Sequence, residues 1–138
     1  MNASHGLHGY AALVTLLALL VYVWTFMRVG SARQRLGVEA PAVTGHPEFE
    51  RHFRVQANTL EGLIVFLPSL WLFAVYLNEL IAAGLGLVWV VGRILYTLAY
   101  ANDPKTRSTG FGIQALATLA LLFGALGAVV WGLVKTVA

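Results

Sequence analysis

Four long apolar stretches, separated by short polar ones, set the rhythm of the chain. They cover residues 10–27, 62–78, 80–100 and 111–134. Arg28 stops the first, Glu61 and Glu79 bracket the second, Arg93 alone interrupts the third, and Lys135 follows the fourth. Each is 17–24 residues long, and a helix needs about 20 residues to cross a bilayer core. The runs are apolar on all sides, which excludes amphipathic surface helices. No ten-residue alternation appears, so a membrane β-barrel is not expected. Helices satisfy their own backbone in lipid, so the pattern predicts an all-α integral membrane protein, a bundle of four transmembrane helices. The spans are placed at about 10–28, 59–78, 80–101 and 111–134, in one domain over 1–138, with a cytoplasmic loop at about 29–50.

Finer signals refine this layout. No Lys or Arg precedes the first run, which reads as a retained span rather than a signal peptide. Pro68 lies inside the second span and is expected to kink it, because it removes a backbone hydrogen bond. Ala120, Gly124, Ala128 and Gly132 recur every four residues on the fourth. Small residues at that spacing let helices approach closely, and packing within the bundle is the expected use. Arg28, Arg33, Arg35, Arg51 and Arg54 fall between spans one and two, and Lys105 and Arg107 between spans three and four. Seven of the nine cations therefore share one side. The positive-inside rule makes that side cytoplasmic and leaves both termini outside.

Composition sharpens the picture. Hydrophobic residues make up 59% of the 138 and charged residues only 11%, too few charges to cover a small soluble domain. The net charge of +3 rests on nine dispersed cations. No basic cluster of the kind that binds nucleic acid is present. There are no cysteines, so any thiol chemistry must use a sulfur brought by the substrate. His5, His8, His46 and His52 lack a metal-ligand spacing, no metal is expected, and His52 reads as a solvated interface residue.

The informative departures are polar residues at membrane depth. Arg54, Asn58 and Glu61 stand at i, i+4 and i+7 and share one helix face. Arg93, Tyr96 and Tyr100 form a second stripe. An intramembrane Arg costs about 2.5–3.5 kcal/mol, so Arg93 should face protein and pair with a carboxylate, with Glu61 the partner that depth suggests. Two such stripes suit a small zwitterionic ligand carrying several carboxylates. Arg clamps carboxylates in bidentate geometry, Glu accepts from an ammonium, and Tyr donates to an anion or thiolate. Taken alone, the same residues also fit a self-satisfied polar cluster that anchors the helix.

The stretch from Glu48 through Glu61, with its E-R-x-x-R-x-Q-x-N-x-x-E pattern, resembles the signature of the MAPEG proteins, the membrane-associated proteins in eicosanoid and glutathione metabolism. The likeness is nearly full-length, since Arg33, Trp71, Arg93, Tyr96, Tyr100 and Arg107 fall at family spacing. It is best for the branch holding leukotriene C4 synthase and microsomal glutathione transferases 2 and 3. The resemblance implies a four-helix protomer in a homotrimer, with glutathione as co-substrate between protomers. By matched position, Arg54, Asn58, Glu61, Tyr96 and Tyr100 would hold glutathione, with Gln56 and Arg33 contributing across the subunit boundary. Arg107 matches the arginine that stabilises the glutathione thiolate, and Tyr96 is the second catalytic candidate. The implied activity is conjugation of glutathione to lipophilic electrophiles, reduction of lipid hydroperoxides, or both. The alternative is a non-catalytic lipid-binding or scaffold role, against which the presence of Arg107 and Tyr96 speaks. Implied partners are glutathione, the lipophilic substrate and membrane lipid, in a multi-pass protein of the inner membrane if bacterial. Arg33-Gln34 replaces an Arg-Arg pair of the leukotriene synthase, Gly62 replaces a Tyr, and Pro68 lies four residues beyond that enzyme's proline. These departures suggest a divergent, bacterial member and put the leukotriene substrate in doubt.

Overall fold

The computed structural model describes residues 8–137. They form four helices: α1 over Gly9–Leu36, α2 over Pro47–Tyr76, α3 over Glu79–Asn102 and α4 over Ser108–Val137. A short 3-10 turn, Pro104–Thr106, joins α3 to α4. All four helices are long and apolar enough to cross a membrane. Leu16, Leu20, Ile64, Leu116 and Phe123, each more than half exposed, point out of the bundle. Such a surface is stable only with lipid as its solvent.

The helices outrun their apolar stretches at both ends, except that α2 stops at Tyr76, two residues short of its run. α1 continues through Arg28, Arg33 and Arg35, and the loop expected over 29–50 shrinks to residues 37–46. Apolar length measures the bilayer, whereas helix length is set by its caps. Gly37 ends α1 in the left-handed region, φ 69°, which glycine adopts without a Cβ penalty. Pro47 opens α2, and the His46 ring accepts from the Glu48 N–H at 3.2 Å. Between them, Arg33 Nη1 donates to the carbonyls of Val38 (3.3 Å) and Ala42 (2.8 Å), and the guanidinium stacks 4.7 Å from the Phe49 ring centre. Arg35 grips Glu48 bidentately at 2.6 and 3.2 Å. These hydrogen bonds, outside the apolar runs, hold the Glu48 carboxyl below the usual carboxylate range. α2 remains one helix through Pro68.

At the far end, the Asn78 side chain caps α3 by accepting from Ile81 N–H at 2.9 Å. Glu79 accepts from the N–H groups of Tyr10 (3.0 Å) and Ala11 (3.3 Å), capping α1 from another helix. The core is stitched by Phe66 stacked on Trp89, ring centres 4.2 Å apart, with Leu70 and Leu121 fully buried. Trp71 Nε1 donates to Thr15 Oγ1 at 2.8 Å.

The α3–α4 crossing positions the site. A Cβ on Gly92 would lie 2.9 Å from the Gln114 backbone N, and one on Gly110 would strike the backbone of Tyr96 and Gly92. Only glycines permit this approach. It brings Phe111 to 6.3 Å from Tyr96, ring centre to ring centre. The four-residue stripe on α4 behaves differently from expectation. Gly124 meets the Phe73 ring of α2, but Ala120 is exposed and a Cβ on Gly132 meets nothing within 4 Å. The buried face of α4 is instead Gly110, Gln114, Ala117, Leu121 and Ala125.

Candidate functional site

One end of the bundle opens into a cleft of about 660 Å³, lined by Arg54, Asn58, Tyr96, Tyr100, Lys105, Arg107, Ser108 and Phe111. Three helices and the connecting turn supply these side chains. Arg54 and Asn58 come from one face of α2, and Tyr96 and Tyr100 from one face of α3. Lys105 and Arg107 arrive with the turn, and Ser108 opens α4 directly behind it. Asp103 fixes that turn by accepting from Lys105 N–H at 3.0 Å, while the Thr106 hydroxyl donates to the Asp103 carbonyl at 2.8 Å. Phe111 follows on α4. Three of the eight lining residues are cations and none is acidic, so the cleft favours an anionic ligand.

Arg93 lies beneath the cleft, fully buried. The carboxylate expected as its partner is not what it meets. Its Nη2 donates to Asn58 Oδ1 at 2.8 Å and its Nε to Thr59 Oγ1 at 3.0 Å. Its guanidinium carbon stands 4.1 Å from the Tyr96 ring centre. A neutral amide, a hydroxyl and a π-face together replace an ion pair. This works because an Arg has five N–H donors in a fixed fork and a flat face that stacks on rings. Since Asn58 Oδ1 is engaged by Arg93, its amide NH₂ is left to serve as the donor toward a ligand. Above Arg93, two aromatic rings separate the buried cation from Arg107. Tyr96 and Tyr100 have ring centres 5.5 Å apart, and Arg107 lies 5.5 Å over Tyr100. The column Arg93, Tyr96, Tyr100, Arg107 thus runs from the buried floor to the exposed mouth.

Of the residues singled out from sequence, the cleft gathers Arg54, Asn58, Tyr96, Tyr100 and Arg107. Three lie outside it within one protomer. Arg33 holds the 37–46 loop. Gln56 Nε2 reaches Tyr22 Oη on α1 at 3.5 Å. Glu61 is exposed on α2, one turn beyond Asn58. Lys105, Ser108 and Phe111 were not singled out as site residues. The charge of Lys105 next to Arg107 was the one visible hint. His52, expected to be solvated, is buried, with Nε2 4.0 Å from Glu48 Oε1.

The chain is similar to known proteins over most of its length. The MAPEG family model matches residues 11–127. An uncharacterised protein of Synechocystis is 48% identical over 124 residues, covering 90% of each chain. Human microsomal glutathione S-transferase 2 is 44% identical over 120 residues, covering 84% of this chain and 80% of its own. The leukotriene C4 synthase of Cavia porcellus is 39% identical over 119 residues, covering 80% and 79%. Four membrane-length helices, the polar signature on α2 and a match spanning nearly the whole chain lead to one assignment: the protein belongs to the MAPEG family.

Proposed function

We propose that the protein is a membrane-bound glutathione transferase that conjugates glutathione to lipophilic electrophiles, reduces lipid hydroperoxides with it, or both. The cleft is the observation that carries this reading. It joins three cations and two tyrosines at the loop end of a bundle whose flanks are apolar. A soluble, anionic reactant can enter from water while a greasy one arrives through lipid. Arg54 and Lys105 suit the two carboxylates of glutathione, with Asn58 donating its amide. Tyr96 and Tyr100 line the path to the thiol, and Arg107 at the mouth stabilises the thiolate. A free thiol has a pKa of about 8.5, and lowering it by two units needs about 2.7 kcal/mol. One guanidinium and one phenol in a partly desolvated site can supply that.

Arg33, Gln56 and Glu61 lie outside the cleft of one protomer. A homotrimer would bring Arg33 and Gln56 of one copy toward the cleft of the next. Protein purified in mild detergent, weighed by native mass spectrometry and assayed with glutathione, an activated chlorobenzene and a fatty-acid hydroperoxide tests both points. Trimeric mass with turnover supports the reading. Absence of both glutathione binding and turnover would sink it, and an active monomer would sink the shared site.

The orientation follows from the cations, with the Arg-rich ends of α1 and α2 in the cytoplasm and both termini outside. A reporter fused after Ala138 should be active only outside the cytoplasm.

Glu61 continues the Arg54–Asn58 face of α2 one turn beyond the cleft lining, where a trimer would extend the cleft over it. Glu61→Gln should therefore weaken glutathione binding by about tenfold, the loss of one charge-assisted hydrogen bond to the ligand ammonium. Its thermal stability should stay at the wild-type value, because Arg93 is held by Asn58 and Thr59. Lowered stability with unchanged affinity would assign Glu61 to the fold instead.

A further inference from the structure

The opposite flank of α3 carries two cavities that the glutathione reading does not use. One is an apolar groove of about 350 Å³ between α1 and α3, lined by Leu17, Leu20, Val21, Trp24, Val90 and Ile94. The other is a polar pocket of about 320 Å³ at the loop end, lined by Arg28, Ser31, Arg35, Glu48, His52 and Asn102. They meet where the Arg28 guanidinium stands 5.1 Å over the Trp24 ring. Along α1, positions 17, 21, 24, 28, 31 and 35 advance in steps of three and four, so groove and pocket share one helix face. From Leu17 to Arg28 the rise is roughly 16 Å at 1.5 Å per residue, about the depth of one leaflet of a 30 Å hydrocarbon core.

The polar pocket has one charge left over. Its only acid, Glu48, is gripped bidentately by Arg35 and lies 4.0 Å from His52 Nε2. Arg28 has no carboxylate among the ion pairs of the described residues. Its Nε is buried with no hydrogen-bond partner. A buried donor of this kind calls for an acceptor, and beside an unmatched guanidinium the fitting acceptor is an anionic oxygen. The Ser31 hydroxyl and Asn102 amide line the same pocket.

We propose that groove and pocket form one site for an anionic phospholipid, its phosphate on Arg28, Ser31 and Asn102 and an acyl chain running past Trp24 along α1 and α3. Basic pockets between transmembrane helices at a membrane surface recognise anionic headgroups in this way. The site stands apart from the cleft, and its occupant is a bound lipid rather than a reactant. The groove is the argument for a lipid over free phosphate, since an inorganic ion has nothing to place there.

The test is native mass spectrometry of delipidated, detergent-purified protein given phosphatidylglycerol, phosphatidylcholine or inorganic phosphate. Wild type should retain phosphatidylglycerol about fivefold better than phosphatidylcholine, the preference expected of one basic side chain at the surface. Arg28→Gln should abolish that preference. Leu20→Trp, which fills the groove, should reduce retention of both lipids. Millimolar phosphate should not displace the bound lipid. Thermal unfolding should confirm that both variants fold, and both should keep whatever glutathione turnover wild type has, because neither residue lines the cleft. Equal retention of the two lipids by wild type, an unchanged preference in Arg28→Gln, or displacement by phosphate alone would overturn the proposal. So would efficient disulfide formation between copies through Leu20→Cys, which would give the groove to a second chain.

Discussion

Arg107→Ala should lower glutathione turnover by about a hundredfold, the usual loss when one preorganised stabiliser of developing charge is removed. Glutathione affinity should change far less, because Arg107 is exposed and an exposed ion pair contributes about 0–1 kcal/mol. The split follows from position. Asn58 is the more buried group, held by Arg93, whereas Arg107 stands over Tyr100 at the mouth. A fixed cation there favours thiolate over thiol. Removing it raises the thiol pKa toward its free value of about 8.5, so activity should appear about one to two pH units later. Arg107→Lys should restore charge without the planar fork and recover part of the rate. Turnover against pH and equilibrium glutathione binding, measured on wild type and both variants, separate the roles. An unchanged rate and pH profile in Arg107→Ala would move thiolate activation to Tyr96.

Much of this arrangement was legible in the chain because lipid imposes simple rules. An uninterrupted apolar run of membrane length has no other stable solution, so the four helices could be placed from sequence. Their ends could not. Residues 29–36 are polar and basic enough to resemble a loop, yet helical hydrogen bonding continues to Gly37, which can adopt φ 69°. Helical periodicity likewise paired Arg54 with Asn58 and Tyr96 with Tyr100, and the cleft brings these pairs together. Periodicity is silent across a turn. Ser108 and Phe111 reach the site only because Gly92 and Gly110 let α3 and α4 touch backbone to backbone.

Arg93 shows a different limit. Its charge, buried in an apolar run, argued for a carboxylate partner. Asn58 and Thr59 lie within reach instead, and they take Nη2 and Nε while the Tyr96 ring covers the guanidinium face, leaving Nη1 buried without a hydrogen-bond partner. Charge alone identifies a need; only geometry identifies what meets it.

That geometry makes Arg93 the floor of the cleft, and Arg93→Met should lower glutathione affinity by about tenfold or more without unfolding the protein. Methionine keeps the unbranched stem and fills irregular space. Two hydrogen bonds to a charged group are lost, each about 1.5–3 kcal/mol. The insertion cost of an intramembrane cation, about 2.5–3.5 kcal/mol, is lost with them. The two terms offset in part, leaving a net loss of about 1.5 kcal/mol at their midpoints. The effect on the ligand is not offset. Without Arg93 Nη2, Asn58 Oδ1 has no fixed donor, and its amide is free to turn away from the cleft. Tyr96 loses the guanidinium stacked on its ring. Arg93→Lys reaches Asn58 or Thr59 but not both, and should recover part of the affinity. A double-mutant cycle with Asn58→Ala gives the decisive reading. If Arg93 acts by orienting Asn58, the double variant should bind glutathione no more weakly than Asn58→Ala alone. If the two losses add, Arg93 acts through Tyr96 or through the fold, and the affinity of Arg93→Met should then track its melting temperature.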